Sequence, residues 1–513
     1  MIRTNWLERW ALYSNKKIAL KDNATKREYS YGDLFALSNR LSHALQTRYG
    51  IAYGDRVAVL SQNCLEYVFL YFAVQQLGAI LVPINYHLAP REIEFVINDC
   101  TPKMLVVQEE YSAVAAQIAQ GVLPQQQLRM HSQDEVDVLS LAVDPSFATH
   151  PPSAGVRFED PCMILYTSGT TGTPKGALIT HKMVFWNSIN TTMRLNITSD
   201  DVTLTFAPFF HTGGWHVLTT PFVHRGAKVV LLNSFDAEKV VELCDAEGVT
   251  ILFGVPTMMK MMSETKQFAS ASLKSVRYAI VGGEPMPIPQ IELWQSKGVP
   301  IRQGYGLTEV GPNCFSLPEG DAIRKKGSIG FPNFYIDAKI VDDMGNELGP
   351  NEPGELLLQS PVVTPGYWNN PQATAEAIRN GWFHTGDIVQ KDEEGYFYVV
   401  DRKKDMFISG AENVYPAEVE QCLYGHPSIS EVAVVGVPDE KWGEVGMAFV
   451  VLRPGQHIEK QEVINYCDGK VARFKIPKHV VFLSELPKGG SGKLLRRTLL
   501  DLSHHYLEKK ATS

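Results

Sequence analysis

The sequence predicts an α/β protein: a large N-terminal domain of two layered α/β subdomains plus a small antiparallel β subdomain, followed by an α+β C-terminal domain. Three observations carry this expectation. Short β-branched runs alternate with helical patterns along most of the 513 residues, as in layers built on mostly parallel sheets. Near Gly327 the pattern turns to alternating strands split by turn signals (DDMGN, GPNEPG), which suits a small antiparallel sheet. After DRKKD at Asp401 a new mixture of helices and strands runs for about a hundred residues, enough to fold alone. The boundary is placed near Lys404, giving domains 1–403 and 404–513.

In chain order, DRVAVLS from Asp55 reads as a buried strand, residues 66–77 as a helix and AILVPIN as a second strand. Later, KVVLLNSF, AEKVVELCDAEG and VTILFGV repeat the strand–helix–strand unit, the helix stopping at Gly248. Beyond the boundary come a helix from Pro416, a strand pair across VAVVGVPDEKWGEVGMAFVVL, a helix from Glu459 and a strand at HVVFLSEL.

Composition narrows the function classes. The 44% hydrophobic and 20% charged residues are ordinary for a globular chain. A net charge of −8 with no block of five like charges argues against nucleic-acid and membrane-surface partners, so any anion must be met at a local site. The seven cysteines are odd in number, widely spaced and without a CxxC pair, which suits reduced, buried thiols in a cytoplasmic protein. The most apolar run, from Val68, is broken by Gln75, Gln76 and Gly78 and so fits a helix leading into a strand better than a membrane span. No integral membrane segment is expected, and peripheral membrane contact stays open.

Two short stretches carry chemistry. YTSGTTGTPKG, residues 166–176, follows a strand and crowds hydroxyls (Thr167, Ser168, Thr170, Thr171) onto Gly169 and Gly172, with Lys175 beyond. Small residues let backbone N–H groups converge on an anion while hydroxyls and lysine add donors, so the loop suits a polyphosphate. It is not a Walker loop, because Pro174 stands where the second glycine belongs. Near the C-terminus, LPKGGSGKLLRR surrounds Lys493 with Gly489, Gly490 and Gly492, a loop both flexible and basic.

The phosphate loop resembles the signature of adenylate-forming enzymes, the group holding acyl-CoA synthetases, luciferases and peptide-synthetase adenylation domains. FFHTGG (from Phe209), VGGEPMP (from Val281), YGLTE (from Tyr305), WFHTGD (from Trp382), DRKKDMFISGAENVYPAEVE (from Asp401) and LPKGGSGK follow in the order that family has them. The resemblance covers essentially the whole chain.

It implies ATP and CoA as co-substrates and Mg²⁺ as cofactor, with roles for matching positions. Thr308 would contact the α-phosphate and Glu309 would hold Mg²⁺, although the pair could equally cap a helix on local sequence alone. Asp387 and Arg402 would meet the ribose hydroxyls, a carboxylate being a pure acceptor. Gly283, Glu284, Pro285, Tyr305 and Gly306 would line the adenine site. His211 would border the acyl carboxylate, with Gly213, Gly214 and Trp215 shaping the acyl pocket; a histidine beside aromatics is also an ordinary structural residue. Lys404 would be the hinge about which a mobile C-terminal domain rotates, and Gly410 would leave room for pantetheine, although Ala411 stands where many relatives have a second glycine. Arg473 and Lys475 are candidates for the CoA phosphates or plain solvated charges. Lys493 would enter the active site for adenylation.

The expected activity is an ATP-dependent fatty acid–CoA ligase for a medium- to long-chain acid. No Asp or Glu lies between Phe206 and His216 to receive a substrate ammonium, and no carrier-attachment motif or GxSxG occurs. An aryl-acid ligase of the coumarate or benzoate type is the alternative, and a luciferase-like oxygenase shares the adenylation residues. PTMMKMM from Pro256 suits either the flank of an alkyl tunnel or core packing.

Overall fold

Four of the strands assemble in parallel at the heart of the first sheet, in the order Met104–Val107, Arg56–Leu60, Ile80–Pro83, Pro161–Thr167. Gln126–Arg129 extends one edge, and Lys175–Thr180 closes the other antiparallel to Pro161–Thr167. The computed structural model describes residues 4–511 apart from 119–121, 133–134, 168–173, 404, 410–411, 440, 469 and 490–493.

Helix Leu65–Gln76 explains its own unbroken apolarity: every residue from 65 to 74 is buried. It shares one core with Val57, Val59 and Leu81 of the first sheet and with Leu20, Val229 and Leu231 of a second. A helix enclosed between layers needs no polar face.

The second sheet runs Glu28–Ser30, Ile18–Asp22, Lys228–Leu231, Val202–Thr205. Beside it stands a five-stranded sheet, Ile251–Gly254, Tyr278–Val281, Ile301–Leu307, Gly311–Ser316, Phe331–Pro332. The Thr250 N–H donates to the Val202 carbonyl at 2.9 Å, bringing the two sheets edge to edge. Lys228–Leu231 and Ile251–Gly254 are therefore not neighbours, although they follow one another in sequence; the crossover through helix Ala237–Ala246 steps over Val202–Thr205.

The change of pattern near Gly327 is the expected antiparallel sheet: Asp337–Val341, Gly354–Gln359, Trp382–Lys391, Ile378–Arg379, with Phe397–Arg402 on Trp382–Lys391. Its DDMGN turn is held by Asp342, whose Oδ1 accepts from the Met344 and Asn346 N–H groups, while Gly345 takes the left-handed conformation at φ 88°.

After Phe407 the chain builds its own core. Strands Ile429–Asp439 and Gly443–Leu452 pair along their length, His479–Phe482 joins in parallel, and helices Pro416–Tyr424, Lys460–Tyr466 and Arg496–Ala511 pack around them. The two apolar clusters here contain only residues from Phe407 onward. All seven cysteines are free thiols, six of them buried. Among the described residues no helix is long and apolar enough to cross a membrane.

Candidate active site

The stretch expected to bind phosphate lies between two strands that pair with each other. Pro161–Thr167 pairs antiparallel with Lys175–Thr180, with Thr167 opposite Lys175; Ser168, Gly169, Thr170, Thr171 and Gly172 lie outside the described residues. At the ends of these strands the Thr167 hydroxyl stands 3.5 Å from Glu309 Oε1, and Lys175 Nζ lies 5.5 Å from the centre of the Tyr367 ring. Glu309 sits with Thr308 in a single 3₁₀ turn, Thr308–Val310, directly after strand Ile301–Leu307. The Tyr367 hydroxyl donates to Glu309 Oε1 at 2.9 Å. Burial and the Glu309 carboxylate push the Tyr367 pKa up, so the phenol keeps its proton and remains a donor.

Glu309 Oε2 makes no hydrogen bond among the described residues. A carboxylate with one oxygen tied and one open, beside a hydroxyl, fits a hard oxygen-seeking cation that draws its remaining ligands from phosphates and water.

Asp387 and Arg402 face each other across paired strands. Arg402 Nε lies 2.6 Å from Asp387 Oδ1, and the Tyr305 hydroxyl donates to Oδ2. Asp387 is 1% exposed, and its carboxylate is a pure acceptor. Tyr305, expected only as an aromatic wall, also aligns this carboxylate. Its ring meets Phe315 edge-on at 5.7 Å.

Beside Tyr305, a Cβ at Gly306 would come within 2.3 Å of the Pro312 carbonyl carbon, so only glycine lets the two strands approach. Gly283 has φ 89° and opens the turn carrying Glu284 and Pro285. Glu284 Oε1 accepts the backbone N–H of Leu494 at 3.1 Å. Lys493 itself lies outside the described residues, but its neighbour rests on the expected adenine wall.

On the side expected to hold the acyl group, the ring of His211 lies 4.5 Å from that of Phe210, and the backbone N–H of His211 donates to the Pro208 carbonyl at 3.1 Å. The π-helical turn Gly213–Val217 follows. Trp215, expected on the pocket wall, has no exposed surface: that turn directs it inward, stacked on Phe209 at 3.9 Å and Tyr71 at 4.4 Å. It supports the wall from behind. A small cavity, about 10 Å³, lies against Thr205, Ala207, Gly213, Gly214, Thr219 and Phe253. Met258, Met259 and Met262 of PTMMKMM are core residues packed with Phe268 and Trp294, so core packing accounts for these three, while Met261 is exposed.

Gly214 gives a direct test of this turn. A Cβ there would meet the Pro208 oxygen at 2.4 Å and the Ala207 oxygen at 2.6 Å, both backbone atoms. Gly214→Ala is expected to cost about 1–3 kcal/mol, read as a lower denaturant midpoint at unchanged slope.

In the C-terminal domain, Lys404 and Gly410 lie outside the described residues. Arg473 is exposed, whereas both oxygens of Glu418 accept from Lys475 Nζ, at 2.8 and 2.7 Å. Arg496, one of the arginines behind the glycine-rich loop, is bound to both oxygens of Glu420 and to the Val434 carbonyl, so its charge anchors the loop's exit. Sequence reasoning missed Tyr367; the signal was an aromatic pair in the turn-rich stretch TPGYWNNP. A separate cluster of Cys64, Glu66 and His131 lies elsewhere, where Arg27 at 2.6 Å already neutralises the buried Glu66.

A nucleotide site built on layered α/β sheets, with a separately cored C-terminal domain reaching onto its wall, defines an adenylate-forming ligase. The chain belongs to the AMP-binding enzyme family: residues 7–368 match that family, and residues 418–493 match the AMP-binding enzyme C-terminal domain. It is 38% identical over 492 residues to a feruloyl-CoA synthase of Amycolatopsis sp, covering 96% of this chain and 97% of that protein. Over 503 residues it is 37% identical to the long-chain-fatty-acid–CoA ligase FadD13 of Mycobacterium tuberculosis, covering 97% of this chain and 98% of that one. ATP-bound MatB from Rhodopseudomonas palustris superposes with a TM-score of 0.90 at 30% identity, covering 97% of this chain and 98% of MatB. Apo MatB, at the same identity and covering 98% and 99%, gives 0.81. The protein is an AMP-forming CoA ligase, with ATP and CoA as co-substrates.

Proposed function

We propose that the enzyme activates an apolar carboxylic acid, with a medium- to long-chain fatty acid as the first reading and an aryl acid as the second. One observation carries the apolar reading: the small cavity beside Gly213, Gly214 and Phe253 is lined, among the described residues, by no carboxylate that could receive an ammonium. FadD13, named for long-chain fatty acids, supports the aliphatic reading, and the similarly related feruloyl-CoA synthase supports the aryl one.

In the first half-reaction an acid oxygen attacks the α-phosphorus and pyrophosphate leaves. Both partners are anionic, so the protein's task is to disperse charge at fixed positions. Lys175 and the loop hydroxyls bind the phosphates, Thr308 and Lys493 donate to the α-phosphate, and Asp387 with Arg402 fixes the ribose. Glu309 and Thr167 would hold Mg²⁺, which supplies positive charge to the phosphate oxygens. In the second half-reaction the CoA sulfur attacks the acyl carbon, a C–S bond forms, the C–O bond to phosphate breaks and AMP leaves. Rotation of the C-terminal domain about Lys404 would bring Gly410 to the pantetheine path, with Arg473 free to meet a CoA phosphate.

Pyrophosphate release from acetate, octanoate, palmitate, coumarate and ferulate, with and without CoA, tests this reading. Turnover confined to palmitate and octanoate supports the fatty-acid reading, turnover confined to coumarate and ferulate replaces it with the aryl one, and turnover of acetate alone removes both. Tyr367→Phe keeps the ring but frees Glu309 Oε1. It is expected to raise the Mg²⁺ concentration for half-maximal adenylation about tenfold, as for other partners of metal ligands. Transfer from supplied acyl-AMP to CoA should be unchanged, and an unaltered Mg²⁺ dependence would remove Tyr367 from the site.

A further inference from the structure

We infer that Lys260 and Glu431 are a positioning pair, joining the two domains so that the base of the Lys493 loop is held against the nucleotide site during adenylation. The inference rests on the two-step reading above and names residues to which that reading gives no role.

Lys260 belongs to helix Pro256–Ser263 of the N-terminal domain. Its Nζ donates to the Ser430 hydroxyl at 2.7 Å and lies 3.3 Å from Glu431 Oε1, both on strand Ile429–Asp439 of the C-terminal domain. The other oxygen of Glu431 takes Lys488 Nζ at 2.8 Å. One carboxylate is thus shared between a lysine of the large domain and the residue that opens the glycine-rich loop. The far end of that loop is tied as well, through the Leu494 N–H on Glu284. Lys488 and Leu494, which flank Lys493 in sequence, are therefore both held, one by Glu431 and the other by Glu284.

The side chains of Lys260 and Glu431 are 19% and 20% exposed, so the pair is screened less than a surface pair. Burial opposes the Glu431 charge, but Lys488 and Lys260 hold its carboxyl below the ordinary range. The join is also releasable. Glu264, which caps the C-terminus of that helix, lies 3.9 Å from Lys260 Nζ and offers a second partner when the domains part. Lys260 is the single charge in PTMMKMM, where Met258, Met259 and Met262 face the core and Met261 is exposed.

Lys260→Met, Glu431→Gln, their double variant and Lys260→Arg test the pair in two single-turnover assays: acyl-AMP formation without CoA, and thioester formation from supplied acyl-AMP. Lys260→Met is expected to slow adenylation about fivefold, equal to about 1 kcal/mol, while thioester formation stays level or quickens. Lys260→Arg should retain adenylation, and the double variant should be no slower than the slower single one. Equal slowing of both half-reactions, unchanged adenylation or multiplied effects in the double variant would each overturn the pair. Wild-type enzyme that forms acyl-AMP while Lys260→Met matches it removes the pair alone; wild-type enzyme that forms none from any acid removes the two-step reading and the pair with it.

Discussion

Lys493→Ala is expected to slow acyl-adenylate formation at least a hundredfold and to leave thioester formation from supplied acyl-AMP nearly intact. At neutral pH the attacking acid is already ionised, so the lysine is needed as an electrophilic clamp and not as a base. Its ammonium would bridge two anions as the new P–O bond forms. Removing one preorganised donor of this kind costs roughly 3 kcal/mol of transition-state stabilisation. Leu494, the next residue, binds Glu284 through its backbone N–H, which a substitution at 493 does not remove. The loss should therefore fall on the rate constant more than on ATP affinity. Rapid-quench measurement of acyl-AMP without CoA, beside the thioester assay, reads both outcomes. Equal loss in the two half-reactions would take the clamp role away from Lys493.

The second large effect is at Asp387. Its carboxylate accepts from Arg402 on one oxygen and Tyr305 on the other, and almost none of it reaches solvent. Asp387→Ala removes the proposed ribose acceptor and strands the Arg402 and Tyr305 donors. Two charge-assisted hydrogen bonds lost from the nucleotide correspond to about 3 kcal/mol, or about a hundredfold weaker ATP binding. Stability should also fall by about 2 kcal/mol, less than the roughly 3–5 kcal/mol of a fully buried broken pair, because the Arg402 side chain keeps 42% of its surface. Calorimetric ATP titration checks the first effect and denaturant unfolding the second. Asp387→Asn retains one acceptor oxygen without the charge and should fall between. Wild-type ATP affinity in Asp387→Ala would remove the ribose assignment.

Much of the architecture was legible because it is local. Alternation of strand and helix patterns, the turn residues of DDMGN and the apolar run at 66–77 depend on neighbours within a few positions. The expectation of a phosphate loop is equally local, its hydroxyls and glycines lying within eleven consecutive residues. The burial of Trp215 was not legible, because it depends on stacking with Tyr71, 144 residues earlier in the chain. Arg496 read as part of a basic loop because Glu420, which absorbs its charge, lies 76 residues earlier.

The sequence by itself determined the α/β class, the separate C-terminal domain and the set of side chains proposed for phosphate, ribose and acyl binding. Only the tertiary structure decided which of them meet. Tyr367 reaches Glu309 across 58 residues and Lys260 reaches Glu431 across 171. Such meetings follow from the order of strands in each sheet and the packing of one domain on another. Hydrophobic periodicity says which face of an element is buried, but not which element buries it.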